Sequence, residues 1–215
     1  NTAAIMVEFI QGEGGVNALK ADFVNKIADL CKDKDILLIA DEVQTGVGRT
    51  GTFLASEGYG VTPDITTLAK GLGGGLPIGA VLFGEKCKDV LQKSDHGSTF
   101  GGNPIVCAGA CEVLKKIDDR LLCEVQNKGE YIKNRLEKIE GVQGVSGKGL
   151  MIGVLFNDFT GREVVDKCIE KGVLFLTAKN KLRMLPPLII TTKEIDEGLK
   201  AIENSLKELY AEKKA

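Results

Sequence analysis

Tryptophan is absent from the 215 residues, histidine occurs once (His96), and none of the six cysteines forms a C-x-x-C pair. Cys31, Cys87, Cys107, Cys111, Cys123 and Cys168 therefore lack the spacing and the histidine partners of a zinc site. Scattered thiols of this kind suit a reducing, cytoplasmic compartment. No apolar run approaches the roughly 20 residues needed to span a bilayer, and no signal-peptide pattern is visible. Neither sign of charge dominates: 28 Lys+Arg face 30 Asp+Glu for a net charge of -2. Such a balance offers no bulk attraction to nucleic acid or to an anionic membrane. An opening methionine is also missing, and Asn1 leads straight into strand-forming residues, which reads as part of something longer.

What is present points to a folded α/β protein. Hydrophobic residues make up 43% and charged residues 27%, enough to bury a core. Residues 3–10 form an apolar run ended by Gln11-Gly12-Glu13-Gly14-Gly15, a strand closed by a glycine turn. Phe23, Ile27 and Leu30 recur at helical spacing, and residues 36–40 are a continuous apolar strand of the kind buried on both faces of a parallel sheet. Together they predict a βαβ unit. Residues 65–69 and 78–83 read as further strands, and residues 104–139 as two helical segments broken near Asp118-Asp119. Cys107 and Cys111, one turn apart, predict a packed helix face. Residues 145–156 are strand-like, 162–171 helical, and 173–176 and 182–185 short strands. Thr191 and Glu194 have capping-box spacing ahead of an apolar stripe at Ile195, Leu199, Ile202, Leu206 and Leu209. The pattern divides near residue 118: mostly parallel α/β over 1–118 and a smaller α+β domain over 119–215.

Two segments carry candidate chemistry. The first is Asp41-Glu42-Val43-Gln44-Thr45-Gly46-Val47-Gly48-Arg49-Thr50-Gly51, at the carboxyl end of a buried strand, where open α/β sheets bind ligands. A strand ending in Asp also fits a simple turn. Gly46, Gly48 and Gly51 match G-x-G-x-x-G, yet the region 20 residues on reads Leu68-Ala69-Lys70-Gly71-Leu72, without the acidic residue that holds a dinucleotide ribose. The second is Lys70, which follows a predicted strand and precedes Gly71-Leu72-Gly73-Gly74-Gly75. Most lysines are solvated, but a buried one loses its ammonium form more readily and can act as nucleophile, base or Schiff-base partner.

Across residues 11–15, 41–51, 63–65, 68–79, 96–104, 148–151 and 182–188 the chain resembles the second half of a class III aminotransferase, a pyridoxal 5'-phosphate enzyme of fold type I. The resemblance implies part of a cofactor-binding large domain followed by a small C-terminal domain. It implies Lys70 as the Schiff-base lysine and proton carrier, and Asp41 as the carboxylate facing the pyridine nitrogen. Val43 would lie on the ring face, and Gln44 would reach the phenolic oxygen. Thr99, with Ser98 beside it, would reach the phosphate of a partner subunit's cofactor in a homodimer. Arg183 would grip a substrate carboxylate, and Glu13 would pair with that arginine when no carboxylate is there. The implied reaction moves the δ-amino group of N-acetylornithine to 2-oxoglutarate, a step of arginine biosynthesis. Ornithine, succinylornithine or 4-aminobutyrate are the alternative amino donors, and a catalytically silent module is the rival from outside enzymology. The family's phosphate-cradling loop and stacking aromatic belong to its first half and have no counterpart in this sequence, so these residues alone are expected to be inactive.

Overall fold

The computed structural model describes residues 1–214. Among them the elements run β1 (Ala4–Val7), β2 (Ile10–Gln11), β3 (Asn17–Ala18), α1 (Ala21–Asp33), β4 (Leu37–Asp41), β5 (Ile65–Leu68), β6 (Ala80–Phe83), α2 (Pro104–Leu114) and α3 (Asp119–Leu136). They continue with β7 (Val142–Lys148), β8 (Met151–Phe156), α4 (Gly161–Glu170), β9 (Leu176–Ala178), β10 (Lys181–Met184) and α5 (Thr192–Lys214). Short 3-10 turns cover Ala55–Tyr59 and Lys70–Gly73. No helix among the described residues is long and apolar enough to cross a membrane.

The chain forms two compact units, one of Asn1–Phe9 with Leu19–Leu122, the other of Ile10–Ala18 with the chain from Cys123 onward. Residues 10–18, which the sequence pattern assigns to the first domain, pack with the second unit. Local pattern cannot reveal this, because the contacts that hold them are made more than a hundred residues away.

In the first unit the strand order is β1-β4-β5-β6. β1 runs parallel to β4 (Ala4↔Leu37) and β4 parallel to β5 (Asp41↔Thr67), whereas β6 is antiparallel to β5. The expected βαβ unit is therefore present. β4 alternates, with Leu38 and Ala40 buried and Leu37, Ile39 and Asp41 half-buried, so only one of its faces is fully covered. α1 buries Val24 and Cys31, while Phe23 and Leu30 are exposed. The expected stripe lies one residue away from the observed one because the helix's apolar arc is broad and the sheet covers only one flank of it. Phe9 is fully buried and stacks on Tyr59 (ring centroids 5.3 Å apart), whose hydroxyl donates to the Phe9 and Leu19 carbonyls.

α2 begins on a well-formed cap: Pro104 occupies the first turn and Asn103 accepts from the Ile105 and Val106 amides. The cysteine expectation is not met there. Cys111 is exposed, Cys107 half-buried, and Ala110 is the helix's buried residue. The helix is apolar on all sides, so cysteine spacing carried no information about which side packs.

The second unit is an antiparallel sheet, order β7-β8-β10-β9, with its helical core cluster drawn from α3, α4 and α5. The stretch predicted as one strand over 145–156 is a hairpin, β7 and β8, turning at Gly149 with φ 54°. The short strand expected at 173–176 instead starts at Leu176 and pairs with β10. α5 buries Ile195, Leu199, Ile202, Leu206 and Leu209, the predicted stripe. Thr191 and Glu194 form the predicted capping box, and Thr160 with Glu163 forms a second one ahead of α4. The Thr160 contacts pull the Glu163 carboxyl below the ordinary glutamate range.

Candidate active site

In the first unit the chemistry-bearing residues stand at the carboxyl ends of adjacent parallel strands. Asp41 ends β4 and Thr67, its register partner on β5, donates a 3.2 Å hydrogen bond to Asp41 Oδ1. The Val43 amide donates to the same oxygen at 3.1 Å. Both bonds orient the carboxylate and leave Oδ2 for a donor from elsewhere. Lys70 emerges three residues beyond Thr67, at the same edge of the sheet.

Lys70 opens the 3-10 turn with φ 47°, a left-handed conformation that a non-glycine residue adopts at a cost of about 1–3 kcal/mol. Such outliers concentrate where a side chain must be aimed rather than where the chain is relaxed. The expectation of a buried lysine is corrected in this unit: Lys70 is exposed, because the turn it opens stands past the half-buried Ala69, clear of the sheet's covered face. The glycines after it have packing reasons. A Cβ on Gly74 would lie 2.6 Å from Val113 Cγ2 of α2, and one on Gly73 would lie 2.9 Å from Ile78 Cγ2.

The glycine pattern after Asp41 is likewise a packing and turn device. A Cβ on Gly46 would lie 2.6 Å from Leu68 Cδ2 and 2.9 Å from the Glu42 carbonyl, and Gly48 and Gly51 have φ 85° and 89°. Gly46 is thus needed for the loop to lie on β5, so the glycine pattern is accounted for by packing and turn geometry without a dinucleotide.

Glu42, next to Asp41, has a different task. It is 1% exposed, accepts from the Ala55 and Ser56 amides at 2.9 and 2.8 Å, and accepts from the Thr45 hydroxyl. This carboxylate ties the loop after β4 to the 3-10 turn at Ala55–Tyr59 and so fixes the backbone that carries Asp41, Val43 and Gln44. Glu42→Ala leaves buried donors without acceptors and is expected to cost on the order of 3 kcal/mol or more. Chemical denaturation checks it, with Glu42→Gln losing less because one acceptor oxygen remains.

Ser98 and Thr99 are exposed in the loop ahead of α2. Ser98 Oγ accepts from the Gly101 amide at 2.9 Å, and Ser98 lines a cleft of about 240 Å³ with Pro77, Gly79, Gly102 and Asn103. No hydrogen bond or ion pair joins either residue to Asp41 or Lys70 among the described residues.

In the second unit Arg183 lies on β10, 8% exposed, and its Nη1 meets Glu13 Oε1 at 2.6 Å. The two ends of this pair differ: the arginine side chain is 9% exposed and the glutamate's 73%. Arg183 Nε is buried with no hydrogen-bond partner. Beside it on the same strand, Lys181 donates to Asn17 Oδ1 and Ser146 Oγ at 3.0 and 2.9 Å, and burial pushes its ammonium pKa down.

Sequence reasoning missed Glu42 and Thr67 as the residues that hold Asp41 in place. An acidic pair at a strand end was the available signal for the first. Nothing local marked the second, whose role comes from strand register.

The class-III aminotransferase family model matches residues 1–206. An acetylornithine aminotransferase of Haemophilus ducreyi is 50% identical over 207 residues, covering 96% of this chain and 53% of that protein. One from Methanocaldococcus jannaschii is 47% identical, covering 98% of this chain and 53% of the relative. Among solved structures, N-acetylornithine aminotransferase of Stenotrophomonas maltophilia matches with a TM-score of 0.89 and 38% identity over 97% of this chain and 57% of that one. The ornithine aminotransferase of Toxoplasma gondii matches with a TM-score of 0.90, also at 38% identity, over 97% of this chain and 52% of that one. The chain thus spans about half the length of the curated relatives it matches. With a family model running from its first residue almost to its last, and relatives this similar, the chain belongs to the class-III aminotransferases.

Proposed function

We propose that the whole protein is a pyridoxal 5'-phosphate aminotransferase that moves the δ-amino group of N-acetylornithine to 2-oxoglutarate. The observation that carries the reading is the pairing of strand ends: an oriented carboxylate, Asp41, and a lysine in a left-handed conformation, Lys70, leave adjacent parallel strands at one edge. These residues fit the cofactor, since the oxygen of Asp41 left without a partner can take a ring N–H and Lys70 is accessible for bonding to an aldehyde. When bound, the cofactor supplies the electron-withdrawing ring that stabilises charge on the substrate carbon. Asp41 keeps a proton on the ring nitrogen. Val43 would lie on the ring face, and Gln44 would reach its phenolic oxygen. Lys70 Nζ carries the proton to and from the substrate carbon. Thr99, beside Ser98, would reach the phosphate of the cofactor held by the partner subunit of a homodimer.

Arg183 binds a substrate carboxylate, for which its planar fork is suited. The unpartnered Nε supports this role, because a buried donor without an acceptor costs about 1–3 kcal/mol unless a ligand or water satisfies it. Glu13 covers the arginine when glutamate must be read through its other carboxylate. The names of the relatives favour N-acetylornithine as donor, and the ornithine aminotransferase structures keep ornithine as the second reading. Amino transfer by the full-length protein, measured with each donor and 2-oxoglutarate, tests the choice: N-acetylornithine should give the highest kcat/KM, and a higher value for ornithine would overturn it.

The 215 residues on their own are expected to bind the cofactor at least about 100-fold more weakly than the full-length protein, since each charge-assisted bond to phosphate is worth roughly 1.5–3 kcal/mol. Absorbance titration with pyridoxal phosphate checks this, and equal affinities would contradict it.

A further inference from the structure

Glu13 belongs to the β2–β3 hairpin, paired Ile10↔Ala18 and Gln11↔Asn17. Its five-residue connection folds on itself: the Gly12 carbonyl accepts from the Gly15 and Val16 amides, each at 3.2 Å, and Asn17 Nδ2 donates to the Gly14 carbonyl at 2.8 Å. The hairpin has two contrasting ends. Glu13 is exposed at its crest, whereas Val16 is fully buried in a cluster with Ile10, Met151 and Ala178.

Val16 has φ 53°, a left-handed conformation that is unusual for a β-branched residue. A turn that needed only this backbone shape would favour glycine or asparagine. The side chain explains the valine. It fills a notch on the sheet made by two glycines: a Cβ on Gly153 would lie 2.9 Å from Val16 Cβ, and one on Gly147 would lie 3.0 Å from Val16 Cγ1. Ile10 anchors the first strand of the hairpin in the same cluster, so Val16 is what seats the connection after Glu13; the tether from Lys181 to Asn17 is a hydrogen bond at an exposed residue and holds that end less firmly.

We propose that Val16 is a positioning residue: its side chain, seated in the Gly147–Gly153 notch, holds the hairpin so that Glu13 reaches Arg183. This rests on the reading of Glu13 as a cover for Arg183. A loosely held loop would let the exposed glutamate drift into solvent, and the arginine would stand uncovered in both half-reactions. The anchor thereby sets which carboxylate of a dicarboxylate the arginine reads, without itself touching substrate.

Val16→Gly in the full-length enzyme separates side chain from backbone, because glycine accepts φ 53° more easily yet leaves the notch empty. Amide hydrogen exchange over residues 12–18 is expected to accelerate by at least about 10-fold. The glutamate half-reaction should slow by the same factor as in Glu13→Ala, while the amino-donor half-reaction stays within about 2-fold. The double variant should lose no more than Glu13→Ala alone, as expected for two residues acting through one contact. Unchanged exchange in Val16→Gly, or equal loss in both half-reactions, would overturn the proposal. If exchange accelerates but Glu13→Ala leaves the glutamate half-reaction intact, the cover reading of Glu13 fails and the selectivity set by Val16 falls with it, while the anchoring stands.

Discussion

Replacing Lys70 by alanine in the full-length protein is expected to abolish amino transfer, lowering kcat by at least on the order of 10⁴-fold. Two tasks end together: no amine remains to bond the cofactor aldehyde, and no base remains beside the substrate carbon. The fold should be nearly indifferent. Lys70 is exposed and makes no ion pair among the described residues, so a smaller side chain removes no packing. Steady-state rates and thermal unfolding of the same preparation check both halves of this statement. A variant that loses activity only because it unfolds would show that Lys70 matters for stability instead. Asp41→Asn makes a useful contrast, since it keeps the bonds from Thr67 and the Val43 amide but can no longer hold a proton on the ring nitrogen by charge.

Arg183→Lys is expected to slow the amino-donor half-reaction by roughly 10–100-fold, the loss of about one charge-assisted hydrogen bond of 1.5–3 kcal/mol. Lysine keeps the charge but not the two parallel donors. Glu13→Ala should spare that half-reaction and slow the one with glutamate by about 10-fold, a difference of about 1.4 kcal/mol, because an uncovered arginine captures the wrong carboxylate. The asymmetry of the pair makes this feasible: the glutamate is largely solvated and can swing away, while the buried arginine keeps its place. Single-turnover absorbance of each half-reaction separates the two effects. Equal losses in both halves for Glu13→Ala would mean that the residue only shapes its glycine turn.

Much of this was legible in the sequence. The apolar run at 36–40 and its acidic end, the strand before Lys70, and the 4-3-4-3 stripe of α5 each depend on residues close together in the chain, where periodicity is a direct readout of burial. What was not legible depends on partners far away. The β7–β8 hairpin hid inside one apolar stretch because its turn needs a single left-handed glycine, Gly149. That glycine's carbonyl would lie 2.4 Å from a Cβ on Gly129 of α3, a close approach that no local pattern announces. Lys70 stands where the sequence places it, just past the strand, but it is exposed rather than buried, because burial there depends on what packs over the turn and not on the strand pattern. Val16 carries no local sign of its place: its left-handed backbone and its notch depend on β7 and β8 being brought beneath it.

A lysine that carries the cofactor through a Schiff base can be trapped there by reduction. Full-length protein is incubated with pyridoxal phosphate, reduced with borohydride, digested, and the modified peptide sequenced by mass spectrometry. A stoichiometric label on Lys70 that Lys70→Ala abolishes is expected; a label on any other lysine, or none on the wild-type protein, would show that Lys70 does not hold the cofactor.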